Sequence, residues 1–223
     1  ICIVYFYAGL SKLNSDWLLH AQPLATWLPG KTDIPIIGHF FETPWVHYLF
    51  SWGGALYDLS IPFLLIFPRT RSVAFVLVIA FHVLTRILFP IGMFPYIMIV
   101  GAMLFFPSSS YDRWLNQFKV ILKNNRNKSL LKPSNYRLNA AKYVVAVLLF
   151  FQMILPWRYL YYPGELFWTE EGFRFSWRVM LMEKQGYTIF RILDRETNKS
   201  WTAQNSMFLT PFQEKQMSFQ PDM

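Results

Sequence analysis

The chain has 223 residues, of which 54% are hydrophobic, 19% aromatic and only 15% charged, where roughly 25% charged is ordinary for a soluble domain. So few charges leave too much surface for water alone to solvate, and 22 Phe, 12 Tyr and 9 Trp exclude a disordered or collagen-like chain. The net charge of +8 comes wholly from residues 1–155, with 13 Lys and Arg against 5 Asp and Glu, while residues 156–223 carry 8 of each.

A basic block set between apolar blocks orients a membrane protein, and no nucleic-acid partner is expected from it. In chain order, residues 1–10 read as the end of an apolar helix whose beginning precedes residue 1. Residues 46–67 are apolar except for His47, Ser51, Asp58 and Ser60. As a helix they reach about 33 Å, enough to cross a hydrocarbon core of roughly 30 Å. Residues 72–89 form a second candidate, interrupted by His82, Thr85 and Arg86 and ended by Pro90, which cannot continue a helix. Residues 91–106 make a rather short third, and residues 140–155 a fourth, with Trp157 and Tyr159 as interface anchors.

Lys and Arg counts orient these spans. Arg69 and Arg71 fall in one short loop, and the 107–139 loop holds Arg113, Lys119, Lys123, Arg126, Lys128, Lys132 and Arg137 against Asp112. Alternating topology puts both loops on one side, which the positive-inside rule makes cytoplasmic. Segments 11–45 and 156–223 then face outward. In the tail, residues 175–182 alternate like a strand, and residues 187–193 and 200–204 flank the polar turn 194–199 as a hairpin. The expected fold is mainly α: a polytopic transmembrane helix bundle over 1–160, followed by a small β-rich extracytoplasmic segment over 161–223, each cut short at the chain end.

Soluble-enzyme motifs are absent. There is no phosphate loop, no dinucleotide fingerprint and no His-Glu-x-x-His. Cys2 and the four histidines, His20, His39, His47 and His82, lack metal-site spacing, so no metal is expected. What remains is a set of polar groups at membrane depth. Asp58 lies near the midplane of its helix, and His82 and Arg86 share a face at i and i+4. An ionisable group in a span is costly against lipid and marks function by default. Equally, Asp58 and Arg86 could pair as buried polar support, with His82 a satisfied core histidine.

Lys12 follows the apolar 1–10 run, among the small residues Ala8, Gly9 and Ser11, which permit close helix approach. Two readings stand at this level. Desolvation disfavours an ammonium, and a neutral amine serves as a general base; or the side chain snorkels to the interface with no catalytic part.

Four segments, taken in order, resemble the vitamin K-dependent γ-glutamyl carboxylase family, whose bacterial relatives share the horizontally transferred transmembrane domain. The first is Tyr7-Ala8-Gly9-Leu10-Ser11-Lys12-Leu13-Asn14-Ser15-Asp16-Trp17, similar to the family's Ala-Gly-x-Lys-Lys-Leu-x-x-Asp-Trp. The second is Trp52-Gly53-Gly54-Ala55-Leu56-Tyr57-Asp58-Leu59-Ser60. Phe81-His82 with Leu88-Phe89-Pro90-Ile91-Gly92-Met93-Phe94-Pro95-Tyr96 is the third, and Leu155-Pro156 with the run Trp168 to Trp177 the fourth.

The resemblance implies an enzyme using reduced vitamin K (menaquinol or phylloquinol type), dioxygen and carbon dioxide to carboxylate the γ-carbon of glutamate in a peptide or protein. It implies Lys12 as the catalytic base that deprotonates the quinol at the non-cytoplasmic face, with membrane lipid as surroundings. His82, Trp52 and Phe94 are the expected cofactor-pocket residues. The first lysine of the family pair is Ser11 here. A quinone- or lipid-binding membrane protein with different chemistry, and a non-catalytic membrane scaffold, are the competing functions.

Overall fold

The computed structural model describes residues 1–112, 135–184 and 186–219. It divides into two compact units, Ile1–Leu181 and Met182–Met223. Most of the basic 107–139 loop lies outside the described residues.

Unit 1 is helical. Helix α1 (Cys2–Ser11) leads through the short α2 (Ser15–His20) and α3 (Leu24–Trp27), two 3-10 turns and the long α4 (Pro44–Ile66). Helices α5 (Arg71–Leu88), α6 (Phe94–Met103) and α7 (Asn135–Ile154) follow, then a 3-10 turn and the short α8 (Leu166–Thr169). Among the described residues, three helices are long and apolar enough to cross a membrane: Pro44–Ile66, Arg71–Leu88 and Ala140–Tyr161. Helix α6 is shorter than the expected 91–106 span. Its residues reach only about 15 Å at 1.5 Å each, half a hydrocarbon core.

Local chemistry explains where these helices start and stop. The Asn14 side chain accepts the Trp17 amide at 2.9 Å, capping α2 as Asn does well. Arg71 closes α4 by donating to the carbonyls of Leu65 and Ile66, each at 3.0 Å. Those carbonyls are among the unpaired acceptors that every helix end leaves, and a cation suits that end of the helix dipole.

The packing is that of a lipid-facing protein. On α4, His47, Ser51, Ala55, Asp58, Ile61, Pro62 and Leu65 are buried at helical spacing, while Leu49, Leu56, Phe63 and Ile66 are exposed. The exposed face is thus as apolar as the buried one, and the inward stripe carries the polar groups. That pattern fits a helix whose outer solvent is hydrocarbon. Helix α5 repeats it, with Ala74, Val78 and His82 buried and Val76, Ile79 and Val83 exposed.

Helices α1 and α4 meet closely at Gly9. A Cβ added there would lie 2.8 Å from Leu59 Cγ and 2.9 Å from the Leu59 amide nitrogen, so a glycine is required. A second seam joins α1 to the chain near residue 155. The Tyr7 hydroxyl donates to the Met153 carbonyl at 2.7 Å, and Trp157 Nε1 donates to Tyr7 at 2.9 Å. Unit 1 runs past residue 160 because Trp177 bonds Gln152 at 3.0 Å and Leu181 packs into the core cluster that holds Trp17 and Leu24.

Unit 2 holds strands β1 (Arg191–Leu193) and β2 (Ser200–Thr202), antiparallel with Ile192 opposite Trp201. They fall inside the expected hairpin, and Asp194 closes its turn by donating its amide to the Lys199 carbonyl at 3.0 Å. The tail is otherwise not β-rich among the described residues. It continues in a 3-10 turn at Asn205–Met207 and helix α9 (Pro211–Phe219). The expected strand at 175–182 is absent because Phe175, Trp177 and Met180 adopt φ of 60°, 57° and 56°. Left-handed backbone at three positions cannot run as an extended strand.

Candidate active site

The first turns of the chain carry polar groups of the candidate site. Tyr5 and Ala8 of α1 and Lys12, which caps its C-terminal end in helical conformation, stand at i, i+3 and i+7 on one face, and that face packs on α4. Lys12 is 7% exposed and Asp58 4%, and Lys12 Nζ lies 2.6 Å from Asp58 Oδ2. The ammonium group also donates to the Ala8 carbonyl at 3.3 Å and sits 5.2 Å from the centre of the Trp17 ring, a cation–π distance. The side chain therefore turns inward instead of snorkelling. Trp17 is itself held by donating Nε1 to the Ser51 carbonyl at 2.8 Å, while the Ser51 hydroxyl donates back to the Trp17 carbonyl.

A second polar chain approaches from α5. His82 is 2% exposed, and its Nε2 lies 2.7 Å from the Tyr5 hydroxyl. Tyr57 donates to that same hydroxyl at 3.4 Å, and its ring stacks on Phe81 with centroids 4.0 Å apart. His82 Nδ1 is buried with no hydrogen-bond partner among the described residues. Both chains border a single cavity of about 100 Å³, whose walls include Lys12, Asp58, Tyr5, His82, Phe81 and Phe94.

A larger cavity of about 550 Å³ lies against other residues of the same helix, namely Tyr7, Leu10 and Ser11. Arg178 and Ser176 help line it. The guanidinium of Arg178 stacks on Tyr159 at 4.5 Å, and its buried Nε has no partner among the described residues. Burial pulls the Arg178 pKa below its ordinary value, with Tyr159 opposing. Ser11 and Lys12 are adjacent in sequence yet face different cavities, so α1 serves both as a wall.

The expected site residues are thus partly brought together. Lys12, Asp58, His82 and Phe94 share one cavity. Trp52 does not line it; it is 47% exposed and donates Nε1 to the Leu18 carbonyl at 3.0 Å. Arg86 is exposed, and the partner it was expected to have, Asp58, is taken by Lys12. Residue Asp58 lies 46 positions from Lys12, a pairing that no local pattern reveals. Tyr5, Trp17 and Tyr57 were not singled out from sequence, although Tyr5 shares the helical stripe of Lys12 and Tyr57 adjoins Asp58. Among the described residues, no three His, Cys, Asp or Glu cluster as metal ligands.

Residues 1–110, which hold both polar chains, match the HTTM domain. Residues 137–223 match the vitamin K-dependent gamma-carboxylase lumenal domain. The two matches occur in order and leave only residues 111–136 between them. The chain belongs to the vitamin K-dependent gamma-carboxylase family. No solved structure matches it. In this carboxylase-family chain the buried Lys12–Asp58 pair lies within the HTTM match, while Arg178 and Tyr159 of the larger cavity lie within the lumenal-domain match. Family membership carries a carboxylase-like function at the coarse level and, with the apolar helices, a place in a membrane.

Proposed function

We propose that the chain is a membrane-embedded, vitamin K-dependent carboxylase-like enzyme that carboxylates the γ-carbon of glutamate, with Lys12 as its catalytic base. The observation that carries this reading is a buried amine, paired to a buried carboxylate, at the edge of an otherwise apolar, aromatic-walled cavity.

The cavity fits a reduced quinone in its chemistry. Phe81, Phe89, Phe94 and Met98 supply apolar walls, and Lys12 and His82 Nδ1, which has no partner among the described residues, supply polar contacts. Its volume of about 100 Å³ is below the roughly 300 Å³ at which ordinary ligand pockets begin. Seating a bicyclic ring therefore requires a wall side chain to turn aside, and Met180, which also lines the cavity, is of the most adaptable type. Reduced vitamin K, when bound, supplies with dioxygen the strong base needed to remove a γ-proton from glutamate before carbon dioxide adds.

An ammonium cannot accept a proton, so the pair with Asp58 has to be reconciled with base chemistry. The charged arrangement, NH₃⁺ with COO⁻, and the neutral one, NH₂ with COOH, contain the same protons. Moving one proton across the 2.6 Å contact frees the amine without releasing a proton to solvent. Burial penalises the two charges and lowers the cost of that shift. Lys12 then takes the proton of a ligand hydroxyl while Asp58 keeps its own, and the ammonium formed remains beside the new negative charge. Trp17 and the aromatic walls keep water from competing for the proton.

The larger cavity suits the other reactant. Arg178 is placed to hold a carboxylate through its planar donor fork, and Ser11 brings that cavity to the far side of the helix that carries Lys12. Lys12→Arg, which keeps a cation paired with Asp58 but does not deprotonate, tests the reading: vitamin K epoxidation and glutamyl-peptide carboxylation are both expected to fall by at least about 10²-fold in the purified membrane protein, with the fold retained. Epoxidation surviving in that variant overturns Lys12 as base. A wild-type chain that binds quinol yet never modifies a glutamyl peptide installs instead the quinone-binding reading with different chemistry.

A further inference from the structure

The histidine on α5 has a role that the base chemistry does not use. Its Nε2 is engaged by Tyr5 at 2.7 Å, and Tyr5 is in turn the acceptor of the Tyr57 hydroxyl at 3.4 Å. With Tyr57 donating to Tyr5, the Tyr5 proton points to Nε2, which then accepts. A neutral imidazole accepting at Nε2 carries its proton on Nδ1. Nδ1 is buried and unpartnered among the described residues, on a ring that lines the same cavity as Lys12. Leaving a buried donor unmatched is costly, and such groups in native proteins call for an explanation. The surrounding walls, Phe81 and Phe94 with ring centroids 5.4 and 6.1 Å from the imidazole, offer it no acceptor.

Among the polar groups that line the cavity, Lys12 and His82 offer contacts of opposite kind, carried by different parts of the chain and set beside apolar aromatic walls. One is an amine that receives a proton; the other is an N–H that gives a hydrogen bond. We infer that His82 Nδ1, oriented by the Tyr57–Tyr5 chain, is the docking point for a second ring oxygen, so that the site selects an aromatic ligand with hydroxyls at both ends of the ring. This rests on the quinol reading proposed above and goes further, since a base alone needs only one hydroxyl. His82 and Tyr5 are then positioning and specificity residues: they fix which oxygen reaches Lys12 and reject a ring that cannot fill both contacts. A site built to hydrogen-bond a ligand oxygen discriminates against analogues lacking it, because its own buried donor is left unpaired.

The test is anaerobic equilibrium binding of two probes to the chain in lipid nanodiscs, corrected with empty nanodiscs: 2-methyl-1,4-dihydroxynaphthalene and 2-methyl-1-naphthol. The wild type is expected to prefer the diol by about tenfold, the worth of one good buried hydrogen bond. His82→Phe keeps an aromatic wall and should bind both probes equally, at the level of the mono-ol. Tyr5→Phe, nearly isosteric and still able to pack, should reduce the preference to about threefold by releasing Nε2. Equal affinity of the wild type for both probes, or an unchanged preference in both variants, overturns the inference while leaving the quinol reading intact. If neither probe binds the wild type, the quinol reading falls and takes this inference with it.

Discussion

The Lys12–Asp58 pair makes a quantitative prediction that separates stability from chemistry. Exposures of 7% and 4% and a separation of 2.6 Å put it in the buried regime, not among surface pairs worth about 0–1 kcal/mol. Removing one partner strands the other charge. Lys12→Met should therefore cost about 3–5 kcal/mol. Replacing both, as Lys12→Met with Asp58→Leu, removes the desolvation burden together with the attraction and should leave stability within about 1–2 kcal/mol of the wild type. Lys12→Arg supplies a third arm. Its guanidinium still pairs with Asp58 but does not deprotonate, so the fold should hold, less about 1–3 kcal/mol for overpacking, while the rate falls by at least about 10²-fold. Stability is measured by denaturant unfolding in detergent micelles, and rate by vitamin K epoxidation. A Lys12→Met protein as stable as the wild type would mean that the pair is solvated. Substantial turnover by Lys12→Arg would mean that no neutral amine is needed. Either result refutes the reasoning.

Gly9→Ala should destabilise the protein by about 1–3 kcal/mol, since the new Cβ meets the Leu59 amide nitrogen at 2.9 Å; with α1 displaced, epoxidation should drop more steeply than stability. In the hairpin, hydrogen bonds from the Thr197 hydroxyl and the Glu196 amide hold the Asp194 carboxyl below the usual carboxylate range. A depressed native pKa contributes stability that is present above the unfolded value of about 3.9 and lost as pH falls through the native one. Hydrogen exchange across 194–199 should therefore lose its extra protection only in acid, and Asp194→Asn should remove the acid-dependent step. For orientation, single cysteines introduced within 113–132 should label from the cytoplasmic side and one at Lys31 from the opposite side, with Cys2 first replaced by Ser; labelling of both from one side would overturn the alternating arrangement.

Much of the fold was legible from residue types in order. The apolar runs around α4 and α5 stood out because a helix in lipid has to be apolar on its outer face as well as its inner one. The hairpin stood out because a polar turn between two short apolar runs has few other uses. Legibility ended where backbone choice depended on tertiary packing. The alternation at 175–182 reads as a strand, yet Phe175, Trp177 and Met180 take left-handed conformations, with Trp177 bonded to Gln152 on α7. Residues 91–106 are apolar enough for a span, but the helix within them covers only Phe94–Met103.

The candidate site divides in the same way. Sequence alone determined that the chain is rich in membrane-type helices, that ionisable groups stand within them, and that Lys12 lies in a segment similar to a carboxylase motif. Those properties depend on composition, period and local order, all of which are written along the chain. Only the tertiary structure decided that Asp58 answers to Lys12 and not to Arg86, that Trp52 stays outside the cavity, and that Tyr5 links Tyr57 to His82. A buried polar group takes whichever partner the packing of separate helices brings within about 3 Å, and here the close approach of α1 to α4 at Gly9 makes that choice.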